Sequence, residues 1–181
     1  GDLNNDGFPE IVSMDMLPKD PYILKRSLGE DDYDIYKYKI SVGYSYQFTR
    51  NNLQWNRRNG HFSEIGMYSG IFATDWSWAT LLMDFDNDGH RDLIVTNGFP
   101  KDVTDHDFIT YRNKAYSFAS KQQLLVEIPE VKIHNYAFKN NANFTFSDVT
   151  QDWGLKMPTF SNGAAYVDLD NDGDLDLVIN N

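Results

Sequence analysis

Cysteine is absent from the 181 residues, which excludes disulfides and thiolate metal sites. Basic residues are scarce: 16 Lys and Arg stand against 27 Asp and Glu, for a formal net charge of −11. That balance argues against a nucleic-acid backbone as partner, which calls for a basic face. No apolar run is long enough to span a membrane, and nothing resembles a signal peptide. Histidine is sparse too. His61, His90, His106 and His134 are scattered and none recurs in register, and no Ser or Cys nucleophile motif is present. What remains is a sequence with 41% hydrophobic residues, enough to bury a core.

The acid is concentrated. "DLNNDGFPE" begins at Asp2, "DFDNDGHRD" at Asp84 and "DLDNDGDLD" at Asp168, with starts 82 and then 84 positions apart. Other landmarks keep a similar offset. Pro18-Lys19-Asp20 returns as Pro100-Lys101-Asp102, Asn52-Leu53 as Asn135-Tyr136, Phe62 as Phe146, Glu64 as Asp148, and Trp76-Ser77 as Phe160-Ser161. One unit of roughly 83 residues is therefore present about twice. The sequence opens inside one acidic motif at Gly1 and closes just after another at Asn181, so it is expected to be part of a longer chain whose targeting segment lies elsewhere.

Twelve of the 27 acidic residues fall in these three nine-residue stretches. Solvated acidic faces do not repeat their spacing, glycine and flanks; cation loops do. Calcium takes roughly six to eight oxygens at about 2.3–2.6 Å, and alternate positions of a curled loop can converge on one ion. The candidate ligands are Asp2, Asn4, Asp6, Phe8 and Glu10; Asp84, Asp86, Asp88, His90 and Asp92; and Asp168, Asp170, Asp172, Asp174 and Asp176. Phe8, His90 and Asp174 would offer their backbone carbonyls. Gly7, Gly89 and Gly173 stand where the turn is sharpest and positive φ is expected. Magnesium demands stricter octahedral geometry, and zinc has no case without Cys or paired His. Up to three Ca²⁺ are expected, one per loop. In the first loop Asn4 and Glu10 depart from the all-Asp pattern.

A helix-loop-helix calcium site would continue into a helix with an acid at position 12. Here Ser13, Val95 or Ile179 stands there, and the loops are followed by "IVSMD", "LIVTN" and "LVINN", rich in β-branched residues. "ATLLM" and "GAAYV" precede the second and third loops, so each loop reads as the turn of a hairpin. Asn52 to Ile65 and Asn135 to Val149 each read as strand, Asn/Gly turn, strand. Four short antiparallel strands per tandem unit make the blade of a β-propeller. The expected fold is thus all-β, a partial propeller forming one domain over residues 1–181, about two blades and a remnant, with helical insertions near 16–47 and 99–133. In the second insertion Phe108, Tyr111, Ala115, Phe118, Ala119, Gln122 and Leu125 fall on one helical face, after a cap at Thr104 or Asp105 and before Pro129. In the first, Asp31 or Asp32 would cap a shorter helix with Tyr33, Tyr36 and Ile40 on one face.

The run N-[LY]-x-[WF], then F-S-[ED]-[IV], then D-x-D-N-D-G-x-x-D-L-[IV]-[VI]-x-N resembles the FG-GAP/VCBS repeat, the family of integrin α-subunit propeller blades. "TDWSWATLLMDFDNDGHRDLIVTNG" with "YAFKNNANFTFSDVT" is similar to bacterial proteins that resemble cartilage acidic protein, often with an ASPIC/UnbV domain, and to large surface proteins of Bacteroidetes. The resemblance implies a calcium-stabilised, extracytoplasmic propeller that binds or scaffolds, on the outer membrane or cell surface of a Gram-negative bacterium. Its partner would be a protein or a surface glycan, and its anchor a lipoprotein signal elsewhere in the full-length protein. A second reading is the propeller of a polysaccharide-degrading, lyase-like enzyme whose active site lies on other blades.

No catalytic residue is assigned in this segment. Asp102, Asp105, His106 and Asp107 read as an acidic helix N-terminus rather than a general acid–base set. Trp76, Trp78 and Trp153 read as blade core. Tyr33, Tyr36, Tyr38, Tyr44 and Tyr46 make the first insertion aromatic. Packing of the helix onto the blade is the first reading of them, and a partner-binding surface the other.

Overall fold

A computed structural model of the protein describes residues 1–27 and 32–181. The elements in order are β1 (Ile11–Ser13), α1 (Pro21–Arg26), α2 (Tyr33–Ser41), β2 (Asn52–Asn56), β3 (Phe62–Glu64), α3 (Gly66–Ser69), β4 (Ser77–Met83), β5 (Asp92–Asn97), α4 (His106–Ala115), α5 (Lys121–Val126), β6 (Ile133–His134), β7 (Tyr136–Asn140), β8 (Phe146–Asp148), β9 (Pro158–Thr159), β10 (Gly163–Val167) and β11 (Asp176–Asn180).

The unit is visible whole once. β4, β5, β7 and β8 form a four-stranded antiparallel sheet in that order. β1-β2-β3 reproduces its last three strands, and the β10–β11 hairpin its first two. A short β6–β9 ladder makes a separate sheet. The protein thus folds as mostly antiparallel β structure with helical insertions, and no ring of blades closes among the described residues.

Pairing fixes the equivalence of the units better than the letters do. Val12 pairs with Leu53 and Ile94 with Ala137, so Leu53 and Ala137 are counterparts, 84 residues apart. The same offset relates Asn51, not Asn52, to Asn135, which corrects the sequence alignment by one residue. Both side chains are buried. Asn51 Oδ1 accepts from the Asp15 amide at 2.8 Å, and Asn135 Oδ1 from the Asn97 amide at 2.9 Å. Asn51 Nδ2 donates to the Ile71 carbonyl at 2.8 Å, and Asn135 Nδ2 to Ser161 Oγ at 2.9 Å. Each carboxamide ties the start of the third strand to neighbouring segments where no ladder reaches, satisfying amides that would otherwise be orphaned.

The core lies between the first two sheets. Leu3, Leu53, Ile71, Leu93, Val95 and Phe138 are buried there, with Tyr136 and Phe146. β5 is buried along its whole length, as a central strand covered on both faces must be.

Both insertions leave after the strand that follows an acidic loop. Asp32 caps α2 through the Asp34 amide and Asp105 caps α4 through the Phe108 amide; Asp31, the other residue considered for the first cap, lies outside the described residues. The single long helix expected in the second insertion is two. α4 stops near Tyr116, and Ser120 starts a new helix with a capping box closed by Gln123. Phe108 and Ala115 are buried as expected, but Phe118 and Leu125 are exposed, because the break turns the second half of the apolar face away. Arg26 of the first insertion pairs with Asp105 of the second at 2.9 Å, and Ser27 and Asp105 form a β-bridge, so the insertions touch.

Candidate functional site

The first puzzle is how each loop holds so many carboxylates together. Backbone amides do part of it. At the first position, Asp2 accepts from the Gly7 amide at 2.9 Å, Asp84 from Gly89 at 2.8 Å and Asp168 from Gly173 at 3.1 Å. At the fifth, Asp6 accepts from Phe8, Asp88 from His90 and Asp172 from Asp174, all at 2.8–2.9 Å. At the ninth, Glu10 reaches the Leu3 amide, Asp92 the Phe85 amide and Asp176 the Leu169 amide at 2.9–3.1 Å. The acids thus curl the backbone over themselves, and Gly7, Gly89 and Gly173 take φ between 84° and 94° to allow it. Asn5, Asn87 and Asn171, also at positive φ, complete the turn.

Carboxylate oxygens of Asp84, Asp86 and Asp88 lie within 4.8 Å of one another, as do those of Asp168, Asp170 and Asp176. Two oxygens on opposite sides of one calcium ion lie about 5 Å apart, so both sets fit around a single ion. Buried Glu10 Oε1 and Asp168 Oδ1 have no hydrogen-bond partner among the described residues, an oxygen left over in the first and third loops. The donors are all oxygen, which suits a hard cation. The first loop gathers no trio of acids, since Asn4 supplies an amide. Asp92 stands apart from the Asp84 set, buried, with Asn140 donating its backbone amide to the second oxygen. Burial raises its pKa. Asp172 stands apart from the trio of the third loop. Asp174 receives the Asn87 side chain instead.

Two cations of the protein itself enter these loops, and the sequence reading missed both. Arg58, on the β2–β3 turn, pairs with Asp6 at 2.6 Å, and its hydrogen bond holds the Asp6 carboxyl below the usual carboxylate range. Lys139, on β7, pairs with Asp86 and, at 2.9 Å, with Asp88. The hydrogen bond from Lys139 lowers Asp88, and those to Asp86 and Asp88 raise Lys139. The signal was faint: Arg58 and Lys139 sit 52 and 51–53 residues beyond the acids they meet.

The loops are also joined to one another. Asn5 Nδ2 donates to the Gly89 carbonyl at 2.8 Å, Asn87 Nδ2 donates to Asp174, and Arg91 donates to the Asp2 carbonyl at 2.7 Å. All three loops therefore lie side by side on one rim. Position 2 of each loop is apolar. Leu3 is buried in the core, Phe85 packs edge-on against Trp153 and Tyr166, and Leu169 is exposed.

The tyrosines of the first insertion do not pack as expected. Tyr33, Tyr38, Tyr44 and Tyr46 are between 58% and 72% exposed, and only Tyr36 is half-buried. Tyr36 lies 6.5 Å from both Tyr46 and Phe48, ring to ring, in a groove of about 910 Å³ that Asp15 and Asn52 also line. Trp76 stacks on Phe99 at 4.3 Å and Trp153 is half-buried, but Trp78 is 57% exposed and is not blade core. Asp102 accepts from Thr104 and Asp105 from Phe108, so that acidic cluster organises a helix start.

One complete four-stranded unit flanked by two partial ones, acidic hairpin loops in register and insertions on the opposite ends of the strands define a repeat of the β-propeller-like binding class. The FG-GAP-like repeat matches residues 40–95 and 129–179, more than half of the sequence, and the chain belongs to that family. Comparison with curated proteins finds no match. Among the described residues, no helix is long and apolar enough to cross a membrane.

Proposed function

We propose that the protein is a calcium-stabilised propeller segment that works by binding, as a scaffold module outside the cytoplasm, and that it catalyses no reaction itself. What carries the reading is the convergence of carboxylates in the second and third loops on an ion-sized space. Asp84, Asp86 and Asp88 would hold one ion, Asp168, Asp170 and Asp176 another, and Asp2, Asn4, Asp6 and Glu10 a third. The ions would supply charge neutralisation, taking the formal charge from −11 to −5. Rigid hairpin loops with no helix to swing favour a structural role. Extracellular calcium modules bind at roughly 10⁻⁴–10⁻³ M, which suits a compartment where calcium is abundant, and repeats of this family are typical of extracellular and surface proteins. A cell-surface or outer-membrane position on a Gram-negative bacterium follows from that reading. The aromatic groove at Tyr36, Tyr46 and Phe48 is the partner-facing surface, for a protein or a glycan.

The deciding experiment is a melt of the intact protein with and without chelator. An ion bound to the folded state alone adds stability by mass action. Chelation should lower the melting temperature, and calcium should restore it better than magnesium. An unchanged melt would overturn the calcium reading. Protease treatment of intact cells should cleave the protein, whereas full protection would place it inside.

A further inference from the structure

The internal repeat acts as a control for what is merely scaffold. Among the described residues, seven other than glycine have positive φ. Asn5, Asn87 and Asn171 share one loop position. Arg58 and Ala142 are counterparts at the offset of 84, and Phe144 answers Gly60. Asp75, at φ 62°, is left over. At the same offset its counterpart is Thr159, which has no such strain. A non-glycine residue in this conformation is strained and persists where the surroundings impose it, often at functional sites.

Asp75 is 1% exposed. Its Oδ2 accepts from the Tyr136 hydroxyl at 2.9 Å, while Oδ1 has no partner among the described residues. Half-buried His134 forms the floor of a pocket of about 510 Å³, and the Tyr136 ring, only 4% exposed, backs it with ring centroids 4.5 Å apart. These two also break the repeat: their counterparts are Arg50 and Asn52. Lys19 stands 5.0 Å over the Tyr136 ring and pairs with Asp148 at 2.6 Å on the pocket wall. Gln151 and Lys156 complete the rim.

The donor and acceptor pattern is fixed by chemistry. His134 Nδ1 lies 2.7 Å from the Asn135 carbonyl. A carbonyl only accepts, so Nδ1 carries the proton and Nε2 of the neutral ring is an acceptor. Lys19, Lys156 and the Gln151 amide donate; Asp20 and the Gln151 carbonyl accept. The walls carry both signs, which disfavours a polyanion, and Pro21 is the one aliphatic residue of the lining, which disfavours a lipid. A carbohydrate fits: each hydroxyl donates and accepts at once, and the ring's C–H face meets the half-buried His134 imidazole.

We propose that this pocket, between the first insertion and the β7–β8 blade, is a saccharide-binding site with His134 as floor, backed by Tyr136, and Lys19, Gln151 and Lys156 as rim. The proposal rests on the reading of the protein as a binding module but on no metal loop, since none of these residues belongs to one.

The test is titration of the intact protein with the neutral hexasaccharides cellohexaose, mannohexaose and xylohexaose, following the His134 imidazole proton resonances. A saturable shift with at least one of them is expected, equally in calcium and in chelator at a temperature where the protein stays folded. His134→Phe keeps an aromatic floor and removes the acceptor, and should weaken binding about tenfold, the effect of one lost hydrogen bond. Gln151→Ala, an exposed rim change that leaves the fold alone, should weaken it several-fold. No saturable shift with any of the three, or affinity unchanged in both variants, would overturn the site. Loss of binding only on chelation would overturn its independence from the metal loops, whereas binding without any effect of calcium on the melt would keep the pocket and discard the calcium reading.

Discussion

Burial and hydrogen bonding pull against each other at single residues. Burial favours the neutral form of Asp75, raising its pKa above the ordinary 3.8, and the Tyr136 hydroxyl offsets this only in part. Its contribution to stability is therefore full below the ordinary value and is lost as the pH rises through the raised one. Asp75→Asn keeps an oxygen for the Tyr136 hydroxyl and removes the ionisation. It should melt no lower than the parent near neutral pH, and its melting temperature should depend less on pH from about pH 4 upward, where the aspartate would begin to ionise. A variant that loses as much stability at neutral pH as in acid would contradict this. Asn51 and Asn135 work the other way. Replacing either by Ala orphans a buried backbone amide and should cost about 2–3 kcal/mol, read from denaturant unfolding. The half-buried Asn52 next in sequence gave no hint of this, because adjacent asparagines on a strand are indistinguishable as letters while a one-residue slip exchanges the two faces.

At the scale of elements, the loops, the hairpins and the insertion caps were legible, and the break inside the second insertion was not. Alternating acids, a glycine and β-branched flanks are local signals, so β4–β5 and β10–β11 fall where "ATLLM", "LIVTN", "GAAYV" and "LVINN" place them. The four-strand order follows from the repeat. The break between α4 and α5 hinges on Ser120 and Gln123, whose capping box interrupts the apolar stripe and leaves Phe118 and Leu125 exposed. Lys139 was hidden for another reason: it lies on β7, outside the β4–β5 hairpin that carries the second loop, and reaches that loop across the sheet. Its ammonium occupies space that an ion between Asp86 and Asp88 would need. Lys139→Ala should therefore raise calcium affinity at the second loop, measured by calorimetric titration, while Asp84→Ala or Asp88→Ala should lower the calcium-saturated melting temperature more than Asn4→Ala, where only a neutral oxygen is lost. Equal effects of all the substitutions would show that the loops are not ion cages.

Across the whole molecule, the sheets differ in how far they are complete. β11 pairs only with β10 among the described residues, and β1 only with β2. Open strand edges template association. The 181-residue segment expressed alone should self-associate, and Val178→Lys, on the half-exposed outer strand, should reduce it, as read by light scattering. A monodisperse parent would remove the premise. The rim of loops has the opposite character, being closed by its own bridges. Because Asn5 hands a hydrogen to the second loop and Asn87 to the third, the conformation of each turn sets the acceptor its neighbour must meet. An ion held at one turn would then be felt at the next, and filling the series would be a linked process. The titration curve of the parent should be steeper than that of Asn5→Ala or Asn87→Ala, in which each turn would fill on its own terms.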